Sequence, residues 1–132
     1  MSDVVGCIFI SKNNSKFLLL RRSDKDPKDY YAGYWSILTG HIDDGELPYQ
    51  AMDRECNEEI GTNKNLFKFN KYKIYSTPKK NKFHLYYTLV PNTFEPYLNQ
   101  ENMDYLWCDM EELPTPLYPG TKEKIASVLT LI

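Results

Sequence analysis

The chain has 132 residues, 42% of them apolar and 26% charged, with a formal net charge of -2 and a pI near 5.7. That length supports one core burying roughly 65–70% of the unfolded surface, and the composition excludes a disordered or membrane-embedded chain. The small net charge excludes a global attraction to nucleic acid or anionic lipid, so any partner has to be read from local features. One domain over residues 1–132 is expected.

The opening "MSDVVGCIFI" has no basic n-region, and no apolar run approaches the ~20 residues of a membrane helix, so the cytoplasm is the default location. "VVGCIFI" and "KFLLLRR", separated by the polar "SKNNSK", predict a hairpin of two strands. Arg21 and Arg22 alternate across the second strand, so that one faces a cleft and the other solvent, with Arg22 ranked ahead for gripping phosphate. "SDKDPKDYYAG" is a loop by its Asp, Pro and Gly content, and "YWSIL" predicts a third short strand running into Gly40.

From Leu47 to Ile60 there is no glycine, Pro48 sits in the first turn and Gly61 follows as a stop, which predicts a helix. Tyr49, Met52, Cys56 and Ile60 form its apolar stripe, and Glu55, Glu58 and Glu59 share the neighbouring face. "LFKFNKYKIYS" and "FHLYYTLVP" flank the turn "TPKKNK" and predict two antiparallel strands, the first alternating at Phe67, Phe69, Tyr72 and Ile74. Residues 64 to 82 carry seven lysines and no acid. They read as a solvated hairpin face, since the absence of Arg disfavours a nucleic-acid polymer as partner.

"MDYLWCD" predicts the last strand, and Asp109 with Glu112 resembles a capping box for a short turn. Thr121 is expected to cap a closing helix whose apolar stripe is Ile125, Val128, Leu129 and Ile132. Cys7, Cys56 and Cys108 show neither disulfide nor zinc spacing and read as reduced core residues.

The stretch from Gly40 to Thr62 holds seven acidic residues and one arginine. Glutamates at i, i+3 and i+4 stand about 5–6 Å apart at Cβ, so ionising them together is unfavourable without a nearby cation. Hard oxygen ligands select a divalent metal such as magnesium, calcium or manganese, and magnesium pairs carboxylates with substrate phosphates. Glu46 and the loop from Gly40 to Gly45 can bring a carbonyl and a further carboxylate to the same face. Arg54 can hold a carboxylate in one rotamer, against the blander reading of an ordinary helix-surface ion pair.

Gly40, Glu46, Arg54, Glu55, Glu58, Glu59 and Gly61 fit the spacing G-x5-E-x7-R-E-U-x-E-E-x-G-U, which resembles the signature of the Nudix hydrolase family. Seven such matches arise by chance in roughly one chain per million of this size. Cys56 and Thr62 stand where the family usually has larger aliphatics, and Leu38–Thr39 replace the Pro-Gly that often precedes the first glycine. The "TG" form with Trp35 ahead of it is similar to the branch of dihydroneopterin triphosphate and dATP pyrophosphatases. "LLLRRS" and "ENMDYLWCDMEELP" extend the resemblance over most of the chain.

The resemblance implies an α/β fold, a Nudix-type α/β/α sandwich with a central mixed β-sheet. It implies a metal-dependent pyrophosphohydrolase, using Mg2+ or Mn2+, that splits a nucleoside triphosphate or similar small nucleotide by water attack at phosphorus. Carried over residue by residue, Glu58 and Glu59 become principal metal ligands, the Gly40 carbonyl another, and Glu55 a ligand or water-orienting base. Glu101 matches an assisting downstream glutamate, and which carboxylate takes the proton stays open.

For the substrate, Tyr30, Tyr31, Tyr34 and Trp35 are expected to flank the cleft and stack a base, with Phe83 and Tyr87 as further aromatics, although core packing explains some of them equally well. His41 and His84 are read as core or surface histidines. Pro78 stands where the family's ADP-ribose hydrolases carry a proline, which keeps ADP-ribose or a related nucleoside diphosphate derivative as the alternative, although the turn explains it without a ligand. A non-catalytic nucleotide sensor is a third reading, against which the complete acidic set argues. Assembly, including a homodimer, is left open.

Overall fold

The computed structural model describes residues 2–61 and 67–132, and the expectations touching Thr62 and Leu66 lie outside the described residues. The elements run β1 (Val4–Ser11), β2 (Phe17–Arg22), β3 (Trp35–Ser36), β4 (Leu38–His41), α1 (Pro48–Ile60), β5 (Asn70–Ser76), β6 (Lys82–Val90), β7 (Asn102–Cys108) and α2 (Thr121–Leu129). The strands form one mixed sheet in the order β3-β2-β1-β6-β5, with β4 paired to β1 and β7 to β2. Only β1 and β6 run parallel among these pairs.

β1 lies in the middle because its residues are apolar on both faces, as a strand covered on both sides requires. Val5, Cys7 and Phe9 face one cluster, with Leu18 and Leu20 of β2 and with Ala51, Met52, Cys56 and Ile60 of α1. Ile8 and Ile10 face the other, with Phe17 and Leu19 of β2 and with Ile125 and Val128 of α2. The result is an α/β/α sandwich in which each helix covers one face of the sheet.

The expected hairpin exists but is paired only next to its turn, Ile10 opposite Phe17. Beyond that point the strands part. The first half of β1, Val4 to Cys7, pairs with β4 instead, while β2 takes β3 and β7 as partners. The expected "YWSIL" strand is split at Ile37, and its second half continues through Gly40 to His41.

Several local expectations are corrected. Tyr49 stays 54% exposed and leaves the α1 stripe, where Ala51 and the carboxyl-bearing Glu55 and Glu59 are buried instead. A bulge between Lys71 and Lys73 breaks the alternation of β5, so Ile74 is exposed. Asp109 caps a turn by accepting from Glu111 N–H, with Glu112 bonded through its backbone, and no capping box forms. Gly120, not Thr121, is the N-cap of α2, and Thr121 is a buried first-turn residue. Ile132 lies past α2 and is exposed. All three cysteines are buried thiols.

Candidate active site

The parting of β1 from β2 opens a cleft of about 540 Å³. One wall is Val4, Thr39, Gly40 and His41, from β1 and β4; the other is Arg22, Ser23, Glu101 and Asn102, from the ends of β2 and β7; Glu55 and Glu59 of α1 close it. The last turn of α1 is ended by Gly61 in a left-handed conformation, φ 65°, whose N–H bonds the Asn57 carbonyl.

Gly40 of β4 lies directly against Glu55 of α1. A Cβ at this position would lie 2.1 Å from Glu55 Cδ, so any side chain here displaces the carboxylate.

Arg54 organises the acids. Its Nε and one terminal nitrogen donate to the two Glu46 oxygens at 2.9 and 3.0 Å, a forked pair. The other terminal nitrogen donates to Glu55 Oε1 at 2.8 Å and to Glu58 Oε2 at 3.3 Å. A further bond, 2.8 Å, runs to the His41 carbonyl and ties down the loop after β4. The Glu46 carboxylate, followed by Glu55, raises the Arg54 pKa further above the ordinary arginine value, and Arg54 in turn lowers that of Glu46. This is more than the ordinary helix-surface ion pair weighed above.

One oxygen from each of Glu55, Glu58 and Glu101 comes within 4.8 Å of the others, which makes them a group able to hold a metal ion among the described residues. Glu59 lies behind them, 4% exposed. Its Oε1 accepts from Asn102 Nδ2 at 3.1 Å, whereas Oε2 is buried with no hydrogen-bond partner. Burial first, then the neighbouring Glu55 and Glu101, pushes the Glu59 pKa up to about 10. Desolvation raises Glu101 as well, reinforced by the charges of Glu55 and Glu58 and opposed by Arg22 and Arg54. Such a cluster is short of positive charge, and a divalent cation would supply it.

The two arginines of β2 diverge. Arg22 lines the cleft and is bonded to Asp29 at 2.8 Å, and its Nε is buried without a partner. Arg21 donates to the Gly33 carbonyl and its guanidinium lies 5.9 Å from the Trp35 ring centroid, against the core rather than in solvent.

The aromatic expectations are corrected. Trp35 packs in the α2-side core, with the Arg21 guanidinium over its ring. Phe83 packs over Gly6 in the same cluster, and Tyr34 stacks edge-on against Tyr31. None of the three lines the cleft. His41 does, its Nδ1 sharing a hydrogen bond with Ser2 Oγ, while His84 stands 3.8 Å from Asp3 outside it. Asp29, Ser36, Asp43 and Asn102 also line the cleft, and the sequence reading missed them because each comes from a loop or strand end without a periodic signal.

Comparison with known proteins is consistent with this geometry. The sequence model of the NUDIX domain matches residues 2–128. The nucleoside triphosphatase NudI of Escherichia coli (strain K12) is 26% identical over 113 residues, 77% of this chain and 79% of that protein. A C. elegans Ap4A hydrolase binary complex superposes with a TM-score of 0.74 at 22% identity, covering 98% of this chain and 100% of that one. The E. coli dihydroneopterin triphosphate pyrophosphohydrolase superposes with a TM-score of 0.63 at 21% identity, covering 82% and 80%. Both superpositions are likenesses of fold.

Proposed function

Since the chain belongs to the Nudix hydrolase family, we propose that it is a divalent-metal-dependent pyrophosphohydrolase, cleaving a nucleoside triphosphate or similar small nucleotide to a monophosphate and pyrophosphate by water attack at phosphorus. The observation that carries this reading is the convergence of Glu55, Glu58 and Glu101 at the cleft, backed by a buried, unpartnered Glu59 oxygen. The name of the NudI relative, a nucleoside triphosphatase, supports the substrate class.

The donors fit a hard divalent ion. They are all oxygens, Gly40 leaves the carboxylate of Glu55 room beside its own backbone, and the Glu59 oxygen lacks a partner that a cation would provide. Glu55, Glu58, Glu59, Glu101 and the Gly40 carbonyl would hold Mg2+ or Mn2+, which when bound neutralises phosphate charge and favours attack by water. Arg54 acts as a positioning residue, fixing Glu55 and Glu58 and anchoring the Gly40 loop through the His41 carbonyl. Arg22, with an unused buried donor in the cleft, meets a phosphate oxygen.

The test is turnover of a panel of nucleoside triphosphates, ADP-ribose, dinucleoside polyphosphates and sugar nucleotides with Mg2+. The expected result is a triphosphate yielding pyrophosphate, with Glu58→Gln at least about 10²-fold slower while remaining folded. Release of two monophosphates from ADP-ribose, with triphosphates inert, would move the assignment to the alternative substrate class.

A further inference from the structure

We propose, building on the metal-dependent reading above, that Asn102 is a positioning residue which fixes the Glu59 carboxylate for the divalent cation, and that a one-residue bulge in β7 exists to bring it there. Along the β2–β7 ladder the partners run one to one from Phe17 opposite Cys108 to Arg21 opposite Asp104. The next pair is Arg22 opposite Asn102, so Met103 is an extra residue with no partner across the ladder.

Residues opposite each other on paired strands share a face. Leu18 and Leu20 face α1, so Arg22, two further on, points the same way. In an unbroken register Met103 would stand opposite Arg22 and put an apolar side chain against the acids, with the Asn102 amide turned away. The bulge exchanges the two, as bulges beside active sites commonly do. Asn102 is 7% exposed and Met103 is 38% exposed.

The amide then donates from Nδ2 to Glu59 Oε1 at 3.1 Å, inside the cleft. A carboxylate tied by one oxygen keeps one orientation, and the other oxygen, Oε2, is left without a hydrogen-bond partner. An uncharged donor suits this place. A lysine or arginine would compete with the cation for the carboxylate, and an aspartate would add one more negative charge to a cluster already crowded with them.

The experiment is Mn2+ titration, followed by the EPR signal of the free ion, on wild type, Asn102→Ala and Glu58→Gln. Wild type is expected to bind saturably and Asn102→Ala to bind on the order of tenfold more weakly, with its metal-free near-UV CD unchanged. Equal affinity of the Asn102→Ala variant and wild type overturns the role of Asn102 and leaves the metal site standing. Absence of saturable binding in wild type overturns the metal reading and this proposal with it. A second measurement needs no variant: in the metal-free wild type, the Asn102 side-chain amide protons should shift with Mg2+ over the same concentrations as the Glu55 and Glu58 backbone amides. Side-chain signals that stay fixed while the backbone shifts would also overturn it.

Discussion

Arg54 hydrogen-bonds three carboxylates and a carbonyl from a single guanidinium and pairs with a fourth carboxylate, Asp43, at 3.5 Å, so its removal acts on the cluster and not only on one pair. Arg54→Ala is expected to lower metal-free stability by about 1.5–3 kcal/mol, as for lost hydrogen bonds to charged groups, and to weaken Mg2+ activation. Urea denaturation in EDTA and the Mg2+ dependence of the rate check the two effects. Gly40→Ala acts on the same cluster from the sheet side: the added Cβ overlaps Glu55, so the rate should fall at least tenfold and the folding free energy by an overpacking cost of about 1–3 kcal/mol, read by urea denaturation. The glutamates of α1 were legible from spacing alone, because helical periodicity fixes which of them are neighbours. Glu101 was named only through the family resemblance and Asn102 not at all, because both reach the same place through tertiary pairing of β7 with β2, for which a single sequence holds no local signal. The aromatic residues misled for a related reason: Trp35 and Phe83 have the chemistry to stack a base, but Trp35 is buried in the α2-side core and Phe83 packs against it, away from the cleft.

At the scale of elements, α1 does two jobs with one surface, burying Met52, Cys56 and Ile60 in the core and Glu55 and Glu59 beside the cleft. It stops at Gly61, where φ is 65° and a Cβ would meet Tyr97 Cβ at 2.7 Å. Gly61→Ala is therefore expected to cost about 1–3 kcal/mol through strain in the left-handed region and the close contact, measured by chemical denaturation. The helix and its boundaries were readable because Pro48 and Gly61 punctuate it. Strand interiors were readable too, but not the bulges at Tyr72 of β5 and Met103 of β7, since a bulge is a property of a pair of strands. The same limit explains the α2 cap: Thr121 has the right chemistry, yet Gly120 takes the N-cap position and Thr121 turns inward.

The whole molecule places one acid-rich cleft where two strands separate, and the charge there couples folding to pH and to cations. Glu59 is held protonated by its surroundings in the metal-free protein, with a pKa near 10 against about 4.3 for an unfolded glutamate. The native state then binds more protons than the unfolded state between those values, so this contribution is full below about pH 4.3 and is lost as pH rises toward 10. Glu101, also raised, acts in the same direction. Glu46 and Asp29, whose pKa values are lowered, matter only at more acidic pH. Metal-free protein should accordingly melt lower at pH 8.5 than at pH 6, with a slope of at most about 1.4 kcal/mol per pH unit per proton, and saturating Mg2+ should flatten that slope. A melting temperature in EDTA that rises over this interval would contradict the burial of a protonated Glu59. The layered α/β arrangement followed partly from the pattern of elements and partly from the family resemblance, whereas the separation of β1 from β2 that makes the cleft depends on β4 claiming half of β1 and was invisible until the chain was folded. The most direct measurement of the central claim is anomalous diffraction from crystals soaked with Mn2+ and a non-hydrolysable nucleoside triphosphate analogue. A manganese peak is expected among the carboxylates of Glu55, Glu58 and Glu101 with the phosphates against it; a bound nucleotide with those carboxylates free of metal and the ion elsewhere would refute the metal site.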